Sequence, residues 1–507
     1  RHEVPAGIDA KPVGIVVVTP PWNFPYAIPC GGVLAALMAG NSVIFKPAPE
    51  TAQTAYLLAK QLWAAGIPED VLQFYPCDDG EVGTSLISDP RVGAIILTGS
   101  LETARFFQKT RPTMRLFAET SGKNATVITA QADREAAIKD LVKSAFFHAG
   151  QKCSASSLAI VEAEVYDSPD FRRQLRDCAA SLFVGPSTDA RSVITPTVQA
   201  PSPALERALT KLEPGEEWLL KPKQIGDDPC SWTPGIKLGV KEGSWFHQTE
   251  CFGPVLGLMR ANSLSHAIKL QNGTRFGLTA GLHTLDPRQI AIWRDKVEAG
   301  NLYINRGTTG AVVQRQPFGG WKASSVGPGS KAGGPNYVWS FLTLTDAVDS
   351  QVLFTSSYTE AWDNYFSKGH DPSKLRCESN VFRYRPCKGV VLRLKTRDEA
   401  IISKAELASK LTGASLTISI ESEESDADFA ARLPALIQNA DRLRTVDVPA
   451  DEVLHAANES GFNWIDAPFT SNGRLELRFW LREQAVTQTR HRYGQISEFQ
   501  PDSRRGL

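Results

Sequence analysis

The 507-residue sequence has no Cys-x-x-Cys pair, no excess of either charge and no long apolar run. Each absence removes a class of function. The eight cysteines (Cys30, Cys77, Cys153, Cys178, Cys230, Cys251, Cys377, Cys387) are scattered, with no histidine cluster beside them. That argues against a disulfide framework and against a metal site, and it suits a reducing cytoplasm with room for one reactive thiol. Lys plus Arg (55) equals Asp plus Glu (55), so no net field draws nucleic acid or anionic lipid. The longest apolar stretches, such as Gly14 to Thr19 and Ala94 to Leu97, are strand-sized and far short of the ~20 residues that span a bilayer. There is no signal-peptide pattern, low-complexity tract or short repeat. The first residue is Arg1 rather than Met, as in a processed product or a fragment.

What is present is α/β patterning. From Pro12 to Gly122, short apolar segments alternate with amphipathic ones. Strands are expected over Val13–Val18, Ser42–Phe45, Leu72–Tyr75 and Gly93–Leu97, and helices over Gly31–Met38, Ala52–Ala65 and Glu81–Ile87. This alternation implies a doubly wound parallel sheet, whose ligands bind beyond the strand C-termini. Residues 124–316 repeat it with longer helices and include strands at Ser157–Val161, Val255–Met259 and Gly300–Ile304. Glycine and proline then concentrate at Phe318-Gly319-Gly320 and Gly327–Pro335, which marks loop. After Asp349 comes a smaller α/β unit: Asn380–Lys395 strand-like, Arg397–Leu411 helical, Ser415–Ile420 a strand, and the acidic run Glu421–Asp428 a solvated loop or helix start. The expected division is therefore 1–123, 124–316, a return segment 317–349 to the first unit, and 350–507.

Three segments carry chemistry. In Gly150-Gln151-Lys152-Cys153-Ser154, small residues allow Cys153 to sit on a turn with its sulfur accessible, although a lone free cysteine is more often a buried structural residue. Glu119 follows an apolar strand in Leu116-Phe117-Ala118-Glu119, where a carboxylate can activate water. Asn23 lies in Pro20-Pro21-Trp22-Asn23-Phe24-Pro25, where prolines fix the backbone and the amide can donate to an oxyanion. Taken singly, Glu119 also suits a helix cap and Asn23 a turn.

Together these segments resemble the aldehyde dehydrogenase superfamily. Pro-Trp-Asn-Phe-Pro is similar to its oxyanion loop, Phe45-Lys46-Pro47-Ala48 to its cofactor-ribose strand end, and Leu97-Thr98-Gly99-Ser100 to its pyrophosphate turn. Glu119-Thr120-Ser121-Gly122-Lys123 resembles the base motif and Gly150-Gln151-Lys152-Cys153 the nucleophile motif. Glu250-Cys251-Phe252-Gly253-Pro254 and Pro317-Phe318-Gly319-Gly320 follow in family order. The resemblance implies the aldehyde dehydrogenase fold: a doubly wound parallel-sheet cofactor domain (1–123), an α/β catalytic domain and a smaller α/β C-terminal domain. It also implies Cys153 as nucleophile, attacking as a thiolate, Glu119 as base and Asn23 as oxyanion donor. Cofactor contacts carry over as Trp22, Lys46, Gly99, Ser100, Glu250 and Phe252, for NAD, with NADP left open. Many members have an acidic residue three positions after the lysine; here Pro49 stands there, and Glu50 is taken as its substitute.

Arg306 to Gly320 and Lys331-Ala332-Gly333-Gly334-Pro335-Asn336-Tyr337 resemble the glutamate-γ-semialdehyde (Δ1-pyrroline-5-carboxylate) dehydrogenases, including the dehydrogenase half of proline utilisation A. That resemblance implies Gly310 and Ala311 as a backbone N–H cradle for the substrate α-carboxylate, a use to which a glycine-rich turn is suited. Ser154 is a second carboxylate contact and Phe318 a further substrate contact. The segments Asn472–Leu477 and Leu481–Gly494 resemble the tail of long proline utilisation A proteins, whose extra domain has a degenerate dehydrogenase fold. Residues 350–507 repeat none of the catalytic motifs, so the unit is expected to be silent; the resemblance implies that it packs against the active domain in place of an oligomerisation partner. His491, between two arginines, reads as structural or interfacial. Before the Pro12-Val13-Gly14 segment the family has more helices than Arg1 to Lys11 provide, so neither flavin nor proline oxidation is expected of these residues, and a proline dehydrogenase domain is expected upstream if the chain is a fragment. A small aldehyde is the expected partner, a homo-oligomer is left open, and no metal is expected. Two other readings stand beside this one: a dehydrogenase for another short acid semialdehyde, such as succinate semialdehyde, and a non-catalytic scaffold derived from such an enzyme.

Overall fold

A computed structural model describes residues 4–492 and the backbone of 495–496. Tyr493 and Gly494, part of the tail pattern, lie outside the described residues.

The run Ile15-Val16-Val17-Val18 is apolar on both faces because it becomes a central parallel strand, covered above and below. Six strands form this first sheet, in the order Ser325–Val326, Leu116–Glu119, Val92–Thr98, Ile15–Thr19, Ser42–Phe45 and Leu72–Phe74. All pairings are parallel except that of Ser325–Val326, which returns from the later segment to lie antiparallel to Leu116–Glu119. Strand order reverses at Ile15–Thr19, which leaves a crevice beyond its C-terminal end and that of Val92–Thr98. The first helix begins at Ala27, four residues ahead of the expected Gly31. Pro29 falls in its first turn, where a missing N–H costs nothing, so the proline does not delay the start.

A second sheet has nine strands, in the order Glu378–Pro386, Leu481–Thr489, Asn301–Ile304, Thr279–His283, Asn124–Ile128, Ser156–Glu162, Val255–Ala261, Gly235–Leu238 and Glu217–Leu220. Its first two strands come from the segment expected to be a separate unit. Leu481–Thr489 runs parallel to Asn301–Ile304, and Glu378–Pro386 closes that side antiparallel. The expected single run Asn380–Lys395 is two strands in two different sheets, broken at Cys387-Lys388 after Pro386, which cannot donate to a ladder.

The rest of the C-terminal segment forms a four-stranded parallel sheet, ordered Ser415–Ile420, Gly389–Leu394, Arg442–Thr445 and Asn463–Ile465. Arg444 and Glu476 form an ion pair with both side chains fully buried, and the guanidinium also lies over Phe469 and Phe479. Among the described residues no helix is long and apolar enough to cross a membrane.

Candidate active site

After the helix Arg134–Phe146 the chain passes through three successive left-handed residues, His148 (φ 64°), Ala149 (φ 52°) and Gly150 (φ 68°). Gly150 is required there: a β-carbon would lie 2.4 Å from the Gly253 carbonyl oxygen. The two non-glycine residues hold strained conformations, and neighbouring contacts fix them. The His148 ring stacks on Phe24 with centroids 5.5 Å apart, and the Gln151 N–H donates to the His148 carbonyl at 2.9 Å. The Asn124 amide donates to the carbonyls of Cys153 (2.7 Å) and Ala155 (2.9 Å). This tight loop presents Cys153 just ahead of the strand Ser156–Glu162.

Glu119 ends its strand opposite Thr98, and the Gly99 N–H donates to its carbonyl at 3.0 Å. The Cys153 thiol lies beside the Glu119 carboxyl, close enough for each to shift the pKa of the other. Burial raises Glu119 to about 7, while the Lys331 ammonium and that thiol pull it back. Burial also pushes the Cys153 thiol well above its ordinary value; the carboxylates of Glu119 and Glu250 add to this, and the N–H groups of Ser154 and Cys153 oppose it. The thiolate expected from the sequence is therefore not the resting form. The resting pair is a thiol beside a carboxylate able to take its proton at neutral pH.

Asn23 is buried, and its amide donates to the Gln151 carbonyl at 3.0 Å, which ties the Asn23 loop to the Cys153 loop. The amide's second N–H is left for another acceptor. Next to it, Trp22 meets Phe252 edge-on at 5.7 Å. Phe252 is left-handed (φ 55°), directly after Glu250-Cys251. Glu250 accepts from the Gly122 N–H at 2.8 Å, and burial raises its pKa.

On the other side of the crevice, Ser100 caps the helix Leu101–Thr110 by accepting from the Thr103 N–H at 3.0 Å. The first turn of that helix, led in by Gly99, offers N–H groups and a positive dipole end to an anion. Lys46, buried at its strand end, pairs with Asp79. Glu50 lies in the one-turn segment Pro49–Thr51 and is exposed; it accepts from the Gln199 amide at 2.6 Å. The acid paired with Lys46 is thus Asp79, which sequence reasoning missed. The available signal was an acidic pair, Asp78-Asp79, shortly after a strand C-terminus.

A cavity of about 480 Å³ reaches Glu119 and is lined also by Phe318, Thr98 and Tyr337. Ser154 is buried, and its carbonyl accepts from the Thr308 hydroxyl at 2.8 Å. Gly310 turns the following loop with φ 84°, and Ala311 is exposed beside it. The Val312 N–H donates to the Gln316 side chain (2.9 Å), whose amide donates to Asn380 (2.6 Å). Arg306 pairs with Glu378 at 2.6 Å. The Gly310–Ala311 loop is thus moored to the strand Glu378–Pro386.

Lys331 was also missed as part of the site. It is buried, donates to Asn301 Oδ1 at 2.9 Å and to the Gly319 carbonyl, and its backbone N–H donates to Glu483 at 2.6 Å. No local pattern reveals a buried lysine whose partners lie 30 and 152 positions away.

A cysteine on a strained loop beside a carboxyl raised to about 7, a buried amide bonded to the same loop, and a helix N-terminus across the switch point make an arrangement suited to acyl chemistry on sulfur next to a dinucleotide. Residues 4–348 match the aldehyde dehydrogenase family, and the chain belongs to it. Among curated relatives, a 1-pyrroline-5-carboxylate dehydrogenase of Geobacillus thermodenitrificans is 37% identical over 338 residues, 64% of this chain and 64% of that protein. Among solved structures, proline utilization A of Corynebacterium freiburgense has a TM-score of 0.90 at 43% identity, covering 98% of this chain and 52% of that one. A Thermus 1-pyrroline-5-carboxylate dehydrogenase with bound NAD has a TM-score of 0.62 at 32% identity, with 68% of each chain covered. The chain thus spans 64% of the length of the curated relatives it matches and about half of the Corynebacterium protein.

Proposed function

We propose that the chain oxidises L-glutamate γ-semialdehyde to L-glutamate with NAD, through a thioester on Cys153. The observation that carries this is the strained loop that sets Cys153 beside Glu119, whose carboxyl is raised to about 7, with the Asn23 amide bonded to the same loop. Cys153 attacks the aldehyde carbon as its proton passes to Glu119. The free N–H of Asn23, with the Cys153 backbone N–H, stabilises the oxyanion. When bound, the nicotinamide supplies the hydride acceptor. Glu119 releases the thiol proton to solvent and then takes a proton from water, which hydrolyses the thioester and returns the Cys153 thiol.

The residues fit a dinucleotide. The Gly99-Ser100 turn and the helix N-terminus suit the pyrophosphate. Lys46 suits a ribose hydroxyl, and Trp22, Glu250 and Phe252 suit the nicotinamide end. Asp79 and Glu50 bring two carboxylates near the Lys46 end, which disfavours the extra phosphate of NADP. Gly310, Ala311 and Ser154 receive the α-carboxylate, and Phe318 flanks the carbon chain; the names of the relatives support this choice of aldehyde. The match to bifunctional proline utilization A supports a parent protein in which a proline dehydrogenase is joined to this chain. NADH formation by the purified chain with glutamate γ-semialdehyde tests the reading. Cys153→Ala is expected to abolish it, and turnover retained in that variant would sink the mechanism. Faster turnover of succinate semialdehyde, compared by kcat/KM, would move the substrate assignment.

A further inference from the structure

A second cavity, of about 900 Å³, lies where the first sheet meets the C-terminal unit. None of Cys153, Glu119, Asn23 or Lys46 lines it. Its floor is the side of the strand Leu116–Glu119, and its opposite wall is Trp464 to Pro468, at the C-terminal end of the strand Asn463–Ile465. Ligands of open parallel sheets sit beyond strand C-termini, so the degenerate unit keeps that geometry although it lacks the catalytic motifs.

The lining carries three charged side chains, Arg115, Asp466 and Arg478, for a net charge of +1 (two positive, one negative). Arg115 is neutralised: it pairs with Asp466 at 2.8 Å and donates to the Thr343 hydroxyl at 3.2 Å. Arg478 is not. Its Nε donates to the Leu475 carbonyl at 3.1 Å, its guanidinium lies over Phe479, and among the described residues it forms no ion pair. Glu483 and Glu476 attract it from a distance, Arg444 and Arg474 repel it, and burial depresses its pKa to about 10. Trp339, in the same lining and 9% exposed, holds a buried indole N–H with no acceptor among the described residues. A cation with no carboxylate in contact and an N–H without an acceptor both leave room for an anionic oxygen. The remaining walls mix aromatic and apolar side chains, Trp464 and Phe479 among them, with the uncharged polar side chains of Gln108, Ser340, Asn458 and Thr470.

The geometry points to a second ligand site here, for a small organic monoanion with a flat apolar body, of the aryl carboxylate class. Its acid group meets Arg478 and the Trp339 N–H, and its ring lies against Trp464 and Phe479. The single net positive charge favours a monoanion over a phosphate dianion. The site does not depend on the reaction proposed for Cys153.

The probe is 8-anilino-1-naphthalenesulfonate, an aromatic monoanion, titrated by fluorescence into the full chain with NAD at saturation, so that the cofactor crevice is not counted. Saturable binding of one equivalent is expected, displaced by phenylacetate and not by benzyl alcohol, which shares the ring and lacks the charge. Arg478→Met is expected to weaken binding about tenfold or more, and Trp339→Phe, which removes only the N–H donor, by several-fold. Should Arg478→Met fail to fold, Trp339→Phe and the charge selectivity decide alone. Absence of saturable binding, displacement by benzyl alcohol as readily as by phenylacetate, or affinity unchanged in Trp339→Phe would overturn the assignment.

Discussion

If Glu119 is the base, Lys331 sets the pH at which it works. Burial alone drives the Glu119 carboxyl upward, and the Lys331 ammonium is the nearby cation that opposes this. Lys331 itself is buried and depressed to about 7; Glu483 and Glu119 sustain its charge. Cys153, Tyr303 and Tyr337 also face Glu119, and Arg478 and Tyr384 face Glu483. Thioester hydrolysis needs ionised Glu119, so with a value of about 7 the rate falls on the acid side, to about a tenth of its plateau at pH 6. Lys331→Met removes the cation that favours the carboxylate, so the acid limb moves to higher pH. An opposite charge nearby shifts a carboxyl by about one to three units. The lower figure is expected, because Asn301 and the Gly319 carbonyl share the ammonium with Glu119. A one-unit rise takes the ionised fraction at pH 7 from about one half to about one tenth, close to a fivefold loss of rate. Hydrolysis of p-nitrophenyl acetate, which acylates a reactive cysteine without cofactor, reads this directly. Glu119→Gln should remove the limb, Glu483→Gln should shift it in the same direction as Lys331→Met, and Lys331→Arg should restore it. A limb that stays in place in Lys331→Met, or moves to lower pH, would refute the electrostatic argument.

Asn23→Ala is expected to lower kcat by about 10²–10³-fold while Cys153 remains open to iodoacetamide; an unchanged kcat removes Asn23 from oxyanion stabilisation. Asp79→Ala, at an exposed side chain, should shift the ratio of kcat/KM for NADP over NAD upward by about tenfold without moving Tm; a constant ratio would show that Asp79 takes no part in selecting the cofactor. Glu476→Gln leaves the Arg444 guanidinium buried without its counter-ion and should cost about 3–5 kcal/mol, read as a lower denaturation midpoint. A loss below about 1 kcal/mol would mean that the pair is better hydrated than its burial implies.

The parts legible in the sequence were those whose signal is local. Ile15–Thr19 and Val92–Thr98 are apolar throughout because a parallel sheet buries both faces. Cys153, Glu119 and Asn23 each lie in a short motif; the structure sets Cys153 beside Glu119 and bonds Asn23 to the loop that carries Cys153. The parts not legible depend on distant partners. Leu481-Arg482-Glu483-Gln484-Ala485-Val486 does not read as an interior strand, yet Glu483 and Gln484 are buried there. Their polar groups are satisfied by Lys331 and Asn336 for Glu483, and by the Ala299 carbonyl and Arg383 for Gln484. Likewise, nothing near Lys46 announces Asp79, which reaches it across 33 positions.

The strand Leu481–Thr489 also governs the order in which the chain can be completed. Asn301–Ile304 leaves the ribosome 177 positions (481 minus 304) before its parallel neighbour begins to emerge. At roughly 5–20 residues per second, that is on the order of 10–40 s of synthesis. Throughout that interval the apolar strand has an unpaired edge, open to pairing with another nascent chain. Translation that stalls before Leu481 would leave a sticky edge on this sheet, so the strand Leu481–Thr489 is the stitch that keeps one copy of the chain from pairing with another.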